Sequence, residues 1–399
     1  QAHQTRQQDF EQFMHANASS SGSDLCKIMG YTLILPQAVP GYQRKQEIFD
    51  RAGKNPDSLA KNPLTTTYHT AKIKLEFYLF DTGAERKDIM ADYAIIGFGC
   101  AGYYGAKAIR ENDPDGTIAV YSEHGYSPYN PMLTTYYVAG KIPFEGLFPF
   151  GDMEKIRQEL RLEVHTGARV EKVEARSRTV RLENGESRQF DKILIATGAH
   201  AFVPSFPGLD PEKAFYMRTI DDAIRLREAL ESHPYRTALV VGASMVGIKV
   251  VELLNNRGIH TTLADMAPRM FPLAAYESVS REIERRITRK GVQLALGSAL
   301  ASVEETGDGF ICSMTDGSTV QADLIVLCIG TRTNVSLADP AEVTVNKGIV
   351  VDHDMQTSVP GIYDAGDCCE GEELQSNTSM IIGLWANAAH QGATAGANM

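Results

Sequence analysis

The chain has 399 residues, with 50 acidic against 39 basic side chains and a formal net charge of −11. A chain of this length forms two or three domains, each able to bury its own core. Its negative balance argues against a nucleic-acid-binding surface, and no run approaches the ~18 consecutive apolar residues of a membrane span.

The first residues lack the basic, apolar and small-residue succession of a secretory signal. Cys26, Cys100, Cys312, Cys328, Cys368 and Cys369 form no CxxC pair. Neither a zinc nor an iron–sulfur site is therefore readable from their spacing, and such scattered cysteines suit a reducing cytoplasm. Residues 1–89 carry 11 of the basic and 10 of the acidic side chains, leaving 28 against 40 after them. This N-terminal extension has polar clusters such as Ala18–Ser23, and a stretch, Lys72–Phe80, that alternates like a strand. It carries no chemistry-bearing motif, and reads equally as an added domain or as sequence from elsewhere.

From Met90 the pattern changes. Tyr93 to Gly97 reads as a buried strand, and Gly97, Gly99 and Gly102, with Cys100 and Ala101 between them, have GxGxxG spacing. A helix is expected over Ala101 to Arg110 and a second strand over Thr117 to Ser122. In such a unit the glycines supply a tight turn, close approach of backbone to a pyrophosphate, and close packing of helix on strand. The helix start offers unpaired N–H groups to the phosphates. Ser122 and Glu123 end the second strand, where an acid grips a ribose hydroxyl. Tyr126–Gly140 follows, including Tyr129, Asn130 and Pro131 and no cysteine.

The strand–turn–helix pattern recurs about 145 residues later. Ala238 to Val241 is the strand, and Gly242, Ala243, Ser244, Met245, Val246 and Gly247 form the turn. A helix is expected over Ile248 to Asn256, then a strand over Thr261 to Ala264 ending at Asp265. Ser244 replaces the middle glycine and is expected to donate a hydrogen bond to phosphate. An acid at Asp265 accepts from the 2′- and 3′-hydroxyls of a ribose and repels a 2′-phosphate. NADH is thus favoured over NADPH, with Arg269 close enough to soften the preference. Ala322–Gly330 is a further strand and glycine turn, and Thr357–Asp367 closes the series with Gly366 and Asp367.

With these motifs the chain from Met90 onward resembles the two-dinucleotide flavoproteins of the pyridine nucleotide–disulfide oxidoreductase fold. The Tyr126–Gly140 segment is most similar to the branch holding rubredoxin, ferredoxin and nitrite reductases. The resemblance implies an α/β architecture of two Rossmann-like, glutathione-reductase-type domains. An FAD domain would be split over residues 90–206 and 331–399, with an NAD domain inserted at 207–330. Pro204, Pro207 and Gly208 mark the first hinge. Thiol-dependent members place a redox cysteine in the Tyr126–Gly140 region; here none is positioned to attack a disulfide or peroxide.

Tyr129, Asn130 and Pro131 are expected to shape the flavin pocket, and Thr197 and Gly198 to close the flavin domain. Asp367 would bind ribityl hydroxyls. The helix beginning at Trp385 and Ala386 would point its N–H groups at the flavin pyrimidine, where they stabilise negative charge. Lys249 stands where many relatives carry glutamate. It reads either as a positive charge near the reduced flavin or as an ion-paired helix lysine.

The implied activity is hydride transfer between NAD(H) and FAD, with single electrons exchanged with an iron–sulfur protein or subunit. The NAD-reactive subunit of an anaerobic 2-oxoacid complex of the phenylglyoxylate dehydrogenase type is one such setting, with electrons flowing toward NAD⁺. An NADH oxidase or peroxidase and a nonenzymatic redox-sensing flavoprotein are the alternatives. Family members generally continue into a C-terminal interface domain, so a hetero-oligomer is expected as readily as a homodimer.

Overall fold

The computed structural model describes residues 92–399; the alternating stretch at Lys72–Phe80 and the rest of the N-terminal extension lie outside the described residues. Two five-stranded parallel sheets dominate. Across the first, the order is Ile362–Asp364, Lys192–Ile195, Asp92–Ile96, Thr117–Ser122, Glu163–Thr166. Across the second it is Gln293–Leu296, His260–Asp265, Thr237–Val241, Leu324–Leu327, Phe215–Tyr216.

Each sheet is built on the same plan. A glycine turn and helix follow the central strand, and a three-stranded antiparallel meander precedes the strand that returns beside it. The meanders are Val170–Glu174, Thr179–Leu182, Ser187–Gln189 and Leu300–Thr306, Gly309–Met314, Thr319–Ala322. Continuous apolar runs such as Tyr93–Ile96 and Ala238–Val241 are buried on both faces, as parallel strands covered by helices require.

The chain passes between the sheets twice, and the two passages lie side by side. Ala199–Ala201 pairs antiparallel with Thr331–Thr333. The strand Ile362–Asp364 then joins the sheet formed by residues 92–195, so the last part of the chain completes the first sheet.

The helix Cys100–Asn112 packs along Trp385–Asn398. A Cβ at Gly392 would collide with the Ala101 carbonyl, and one at Gly396 with that of Gly105. This close approach brings the two helix starts together.

Observed boundaries differ from the expected ones mainly at one place. The second glycine-turn helix begins at Met245 rather than Ile248, because Ser244 caps it. The short helix Thr134–Val138 belongs by sequence to the first half of the fold, yet Val138 is fully buried in the core of the second sheet. Burying such a side chain is worth roughly 1.5–3 kcal/mol. Arg227 and Arg257 strengthen the attachment by donating to the carbonyls of Tyr137 and Val138. Among the described residues, no helix is long and apolar enough to cross a membrane.

Candidate active site

The first glycine turn has three positions with three different surroundings. Gly97 has φ +94°, and a Cβ there would strike the Ala196 carbonyl. A Cβ at Gly102 would strike the carbonyl of Gly97. At Gly99 a Cβ would meet nothing within 4 Å. The backbone at Gly99 thus borders open space, and as helix N-cap it has no side chain to occupy the N–H groups of the first turn. Uncapped helix N–H groups beside open space fit an anionic pyrophosphate.

Two distant segments close on this turn. Cys100 Sγ donates to the Trp385 carbonyl at 3.5 Å. A Cβ at Gly366 would touch Ala101 Cβ, and the Gly366 N–H donates to Gln391 Oε1 at 3.0 Å. Trp385 stacks on Phe150, which stacks on Tyr103, fixing where the last helix starts and Ala386 follows. Burial, with the Asp367 charge second, pushes the Cys100 thiol up to about 12, so it stays protonated. All five cysteines among the described residues are buried and unbridged.

Asp367 is held by a residue that sequence reasoning did not single out. Arg218 Nη2 donates to Asp367 Oδ2 at 2.8 Å, and its Nε donates to the Ala199 carbonyl at 3.0 Å. The next residue starts a capping box. Thr219 Oγ1 accepts from Asp222 N, while Asp222 Oδ2 accepts from the backbone N–H groups of Thr219 and Arg218. Asn334, also missed, locks the other wall: Thr197 Oγ1 donates to its carbonyl at 2.8 Å, and its own N–H donates to the Gly198 carbonyl. Neither residue carries a local motif, so no sequence signal announced them.

The remaining first-site candidates are more dispersed. Ser122 Oγ donates to the His124 carbonyl, and Glu123 is exposed, 3.7 Å from Arg169 Nε. Tyr129 Oη accepts from the Ile220 N–H at 3.2 Å. Asn130 Oδ1 caps the short 3-10 helix that starts at Pro131 by accepting from Met132 N. Tyr129 therefore ties the loop to the start of the helix Ile220–Ser232, while Asn130 and Pro131 shape its local turn.

The second glycine turn repeats the first. Gly242 has φ +105° and backs onto the Cys328 carbonyl, and Gly247 backs onto Gly242. Met245 and Val246 are exposed at the helix start. The expected bond from Ser244 to a phosphate is not available. Its hydroxyl donates to the Cys328 carbonyl and accepts from Gly247 N, both at 3.1 Å. Asp265 ends the adjacent strand and ties the turn down, accepting from Ala243 N at 2.7 Å and Ala267 N at 2.8 Å. Arg269, expected to soften the preference for NADH, is bound into its own loop through the carbonyls of Pro272 and Ala275 and the Ser280 hydroxyl. Gly330 has φ +103° and open surroundings.

Lys249 takes the ion-paired form. Its Nζ lies 3.2 Å from Glu252 Oε2, and Lys141 Nζ lies 3.3 Å from Oε1 of the same carboxylate. Both ammonium groups flank the Tyr136 ring. The hydrogen bond with Glu252 raises the Lys249 pKa above its ordinary value.

Comparison with known proteins agrees with this geometry. The family model described as pyridine nucleotide-disulphide oxidoreductase matches residues 91–392. An NADH oxidase of Methanocaldococcus jannaschii is 26% identical over 76% of this chain and 69% of its own length. The epsilon subunit of NADH-dependent phenylglyoxylate dehydrogenase from Aromatoleum evansii is 29% identical over 77% of this chain and 72% of its own length. The reductase in the covalent putidaredoxin reductase–putidaredoxin complex superposes with a TM-score of 0.72 at 26% identity, covering 77% of this chain and 75% of that one.

Proposed function

Since the chain belongs to the pyridine nucleotide-disulphide oxidoreductase family, we propose that it moves hydride between NAD(H) and FAD and single electrons between FAD and an iron–sulfur protein or subunit. One observation carries this reading: the Gly97–Gly102 turn, the Gly366–Asp367 turn and the start of the last helix meet at a single place. FAD, when bound, supplies the exchange between a two-electron hydride and single electrons.

The chain supplies binding, orientation and electrostatics. In this reading residues 90–206 and 331–399 hold FAD and residues 207–330 hold NAD(H). Gly99 admits the pyrophosphate of FAD to the helix N–H groups, and Glu123 takes its adenosine ribose. Asp367 takes the ribityl hydroxyls with Arg218 beside it, and the start of Trp385–Asn398 faces the pyrimidine. Asp265 takes the adenosine ribose of NAD(H), which favours NADH over NADPH. Val138 and its neighbours hold the two halves in register, so that the reacting rings meet.

The dehydrogenase subunit and the reductase joined to putidaredoxin both support a protein as electron partner. The phenylglyoxylate relative further supports a place as one subunit of a hetero-oligomer that reduces NAD⁺. A second reading, NADH oxidation with oxygen as acceptor, is favoured by the M. jannaschii relative. The absence of an accessible thiol among the described residues weighs against a thiol-dependent form of it.

Anaerobic stopped flow tests the proposal. NADH should bleach the flavin without a long-wavelength thiolate charge-transfer band, and an oxidised iron–sulfur protein should restore the spectrum. Rapid NADH consumption in air, with no response to iron–sulfur carriers, would select the oxidase reading instead.

A further inference from the structure

The two glycine turns differ at their middle position, and the difference reaches the helix starts. In the first turn that position is Gly99, the N-cap of the helix Cys100–Asn112, which has no side-chain cap and borders open space. In the second it is Ser244, the N-cap of the helix Met245–Asn256. Ser244 Oγ accepts from the Gly247 N–H at 3.1 Å, so the second helix start is closed by the chain itself.

The hydroxyl is fixed from behind. Ser244 Oγ donates to the Cys328 carbonyl at 3.1 Å. Cys328 is held in turn by its own N–H, which donates to the Val241 carbonyl at 2.7 Å. A serine hydroxyl has one hydrogen to donate and two lone pairs. The hydrogen goes to Cys328 and one lone pair to Gly247, so only a lone pair remains. A phosphate oxygen is also an acceptor, and two acceptors face to face repel.

Asp265 Oδ2 takes another donor of the same turn, Ala243 N, at 2.7 Å. Two N–H groups of the second turn are thus satisfied from within. An anion at an uncapped helix start gains the full attraction of its N–H groups. At a capped one it shares that positive end with the oxygen of the cap.

We propose that Ser244 is an affinity-setting residue, which weakens the grip of the second turn on the pyrophosphate of NAD(H) and so keeps this dinucleotide exchangeable. This rests on the reading that the second glycine turn binds NAD(H), and it adds which side chain limits that binding. Because pyrophosphate contacts are the same before and during hydride transfer, freeing the helix start lowers KM and does not raise kcat.

The test uses the full chain loaded with oxidised FAD and titrated with NAD⁺ in a calorimeter, so that no electrons move. Ser244→Gly and Ser244→Ala are each expected to bind NAD⁺ roughly three- to tenfold more tightly, the scale of one hydrogen bond. With ferricyanide as acceptor, the KM for NADH should fall by a similar factor while kcat does not rise. Ser244→Ala should also lower the unfolding temperature, whereas Ser244→Gly should leave it nearly unchanged. Tighter binding by a less stable variant is a combination that a merely structural cap does not give. Ser244→Gly keeps the inference testable if Ser244→Ala fails to fold. Unchanged NAD⁺ affinity in Ser244→Gly would overturn the assignment, and so would weaker binding, which would mean that the hydroxyl turns and donates to the phosphate. A wild-type protein that binds neither NAD⁺ nor NADH would instead sink the reading on which it rests.

Discussion

Arg218 Nη2 lies 2.8 Å from Asp367 Oδ2, joining the segment that leads into the helix Ile220–Ser232 to the turn beside the first glycine loop. The two side chains are 21% and 26% exposed, so the pair is screened less than a surface ion pair and desolvated less than a buried one. Removing the guanidinium leaves the Asp367 carboxylate without its charged donor, next to the buried Cys100 thiol. Arg218→Met is expected to weaken FAD binding about tenfold, the scale of one charge-assisted hydrogen bond. It should lower the thermal midpoint by about 2–4 °C. FAD titration of the stripped apoprotein and a calorimetric scan read the two effects separately. A lowered midpoint with unchanged FAD affinity would make the pair a structural tie only.

The glycine turn predicts opposite phenotypes at neighbouring positions. Gly99 has φ −88° and faces open space, so Gly99→Ala is expected to cost the apoprotein no more than about 1 kcal/mol, the loss when alanine replaces glycine at a helix N-cap. On the proposed reading FAD affinity should nevertheless fall at least tenfold, because the methyl group would occupy the approach of the phosphates. Gly97→Ala should do the reverse, lowering apoprotein stability through positive φ and collision with the Ala196 carbonyl. Apoprotein melting curves and FAD titrations, run side by side, would separate the two. Equal loss of stability in both variants would refute the division of roles.

The glycine turns were legible in the sequence because their requirement is local: a positive φ or a missing Cβ is met within a few residues of the strand that precedes it. Asp265 was legible for the same reason, standing at the end of a strand whose apolar run is visible. Arg218 and Asn334 were not, because each acts on a partner more than a hundred residues away and no spacing records that. Val138 shows the same limit. Its burial depends on a core assembled from residues 215–328, which its own neighbourhood of tyrosines does not reveal. For Ser244 and Arg269 the residue type was right for a phosphate contact, but nearby backbone groups had already taken the hydrogen bonds. Local carbonyls and N–H groups are always at hand, whereas a ligand must compete for the same donors.

Lys249 illustrates a charge that should matter less than its position suggests. Its ammonium is shared with Glu252, which also serves Lys141, and the raised pKa keeps it charged throughout the neutral range. It therefore gives no proton in a step near neutral pH. Lys249→Met is expected to reduce the rate of flavin reduction by NADH less than threefold and to leave its pH profile unchanged from pH ~6 to ~9. The loss of one partly exposed ion pair should cost about 0–1 kcal/mol of stability. Stopped-flow reduction rates across that range are the measurement; a limb of the profile that vanishes in the variant would restore a proton-transfer role.

Asp364 carries the clearest pH signature. It is fully buried, its Oδ1 accepts from Cys368 Sγ at 3.3 Å, and its Oδ2 has no partner. Burial holds the carboxyl well above the usual carboxylate range, and burial raises the Cys368 thiol in the same way. In the unfolded chain the carboxyl loses its proton near pH ~4, while in the folded protein it keeps it. Below that pH both states are protonated and the group has no effect on stability. Above it the unfolded state binds fewer protons, so this residue makes stability fall with rising pH until the folded pKa is reached. Asp364→Asn removes the ionisation while keeping an acceptor for Cys368; the unpartnered amide costs about 1–3 kcal/mol, but equally at every pH. The midpoint of the variant minus that of the wild type should therefore increase as the pH rises above ~4. Calorimetric scans at matched ionic strength give that difference directly, and a difference that stays flat would mean that Asp364 ionises in the folded protein.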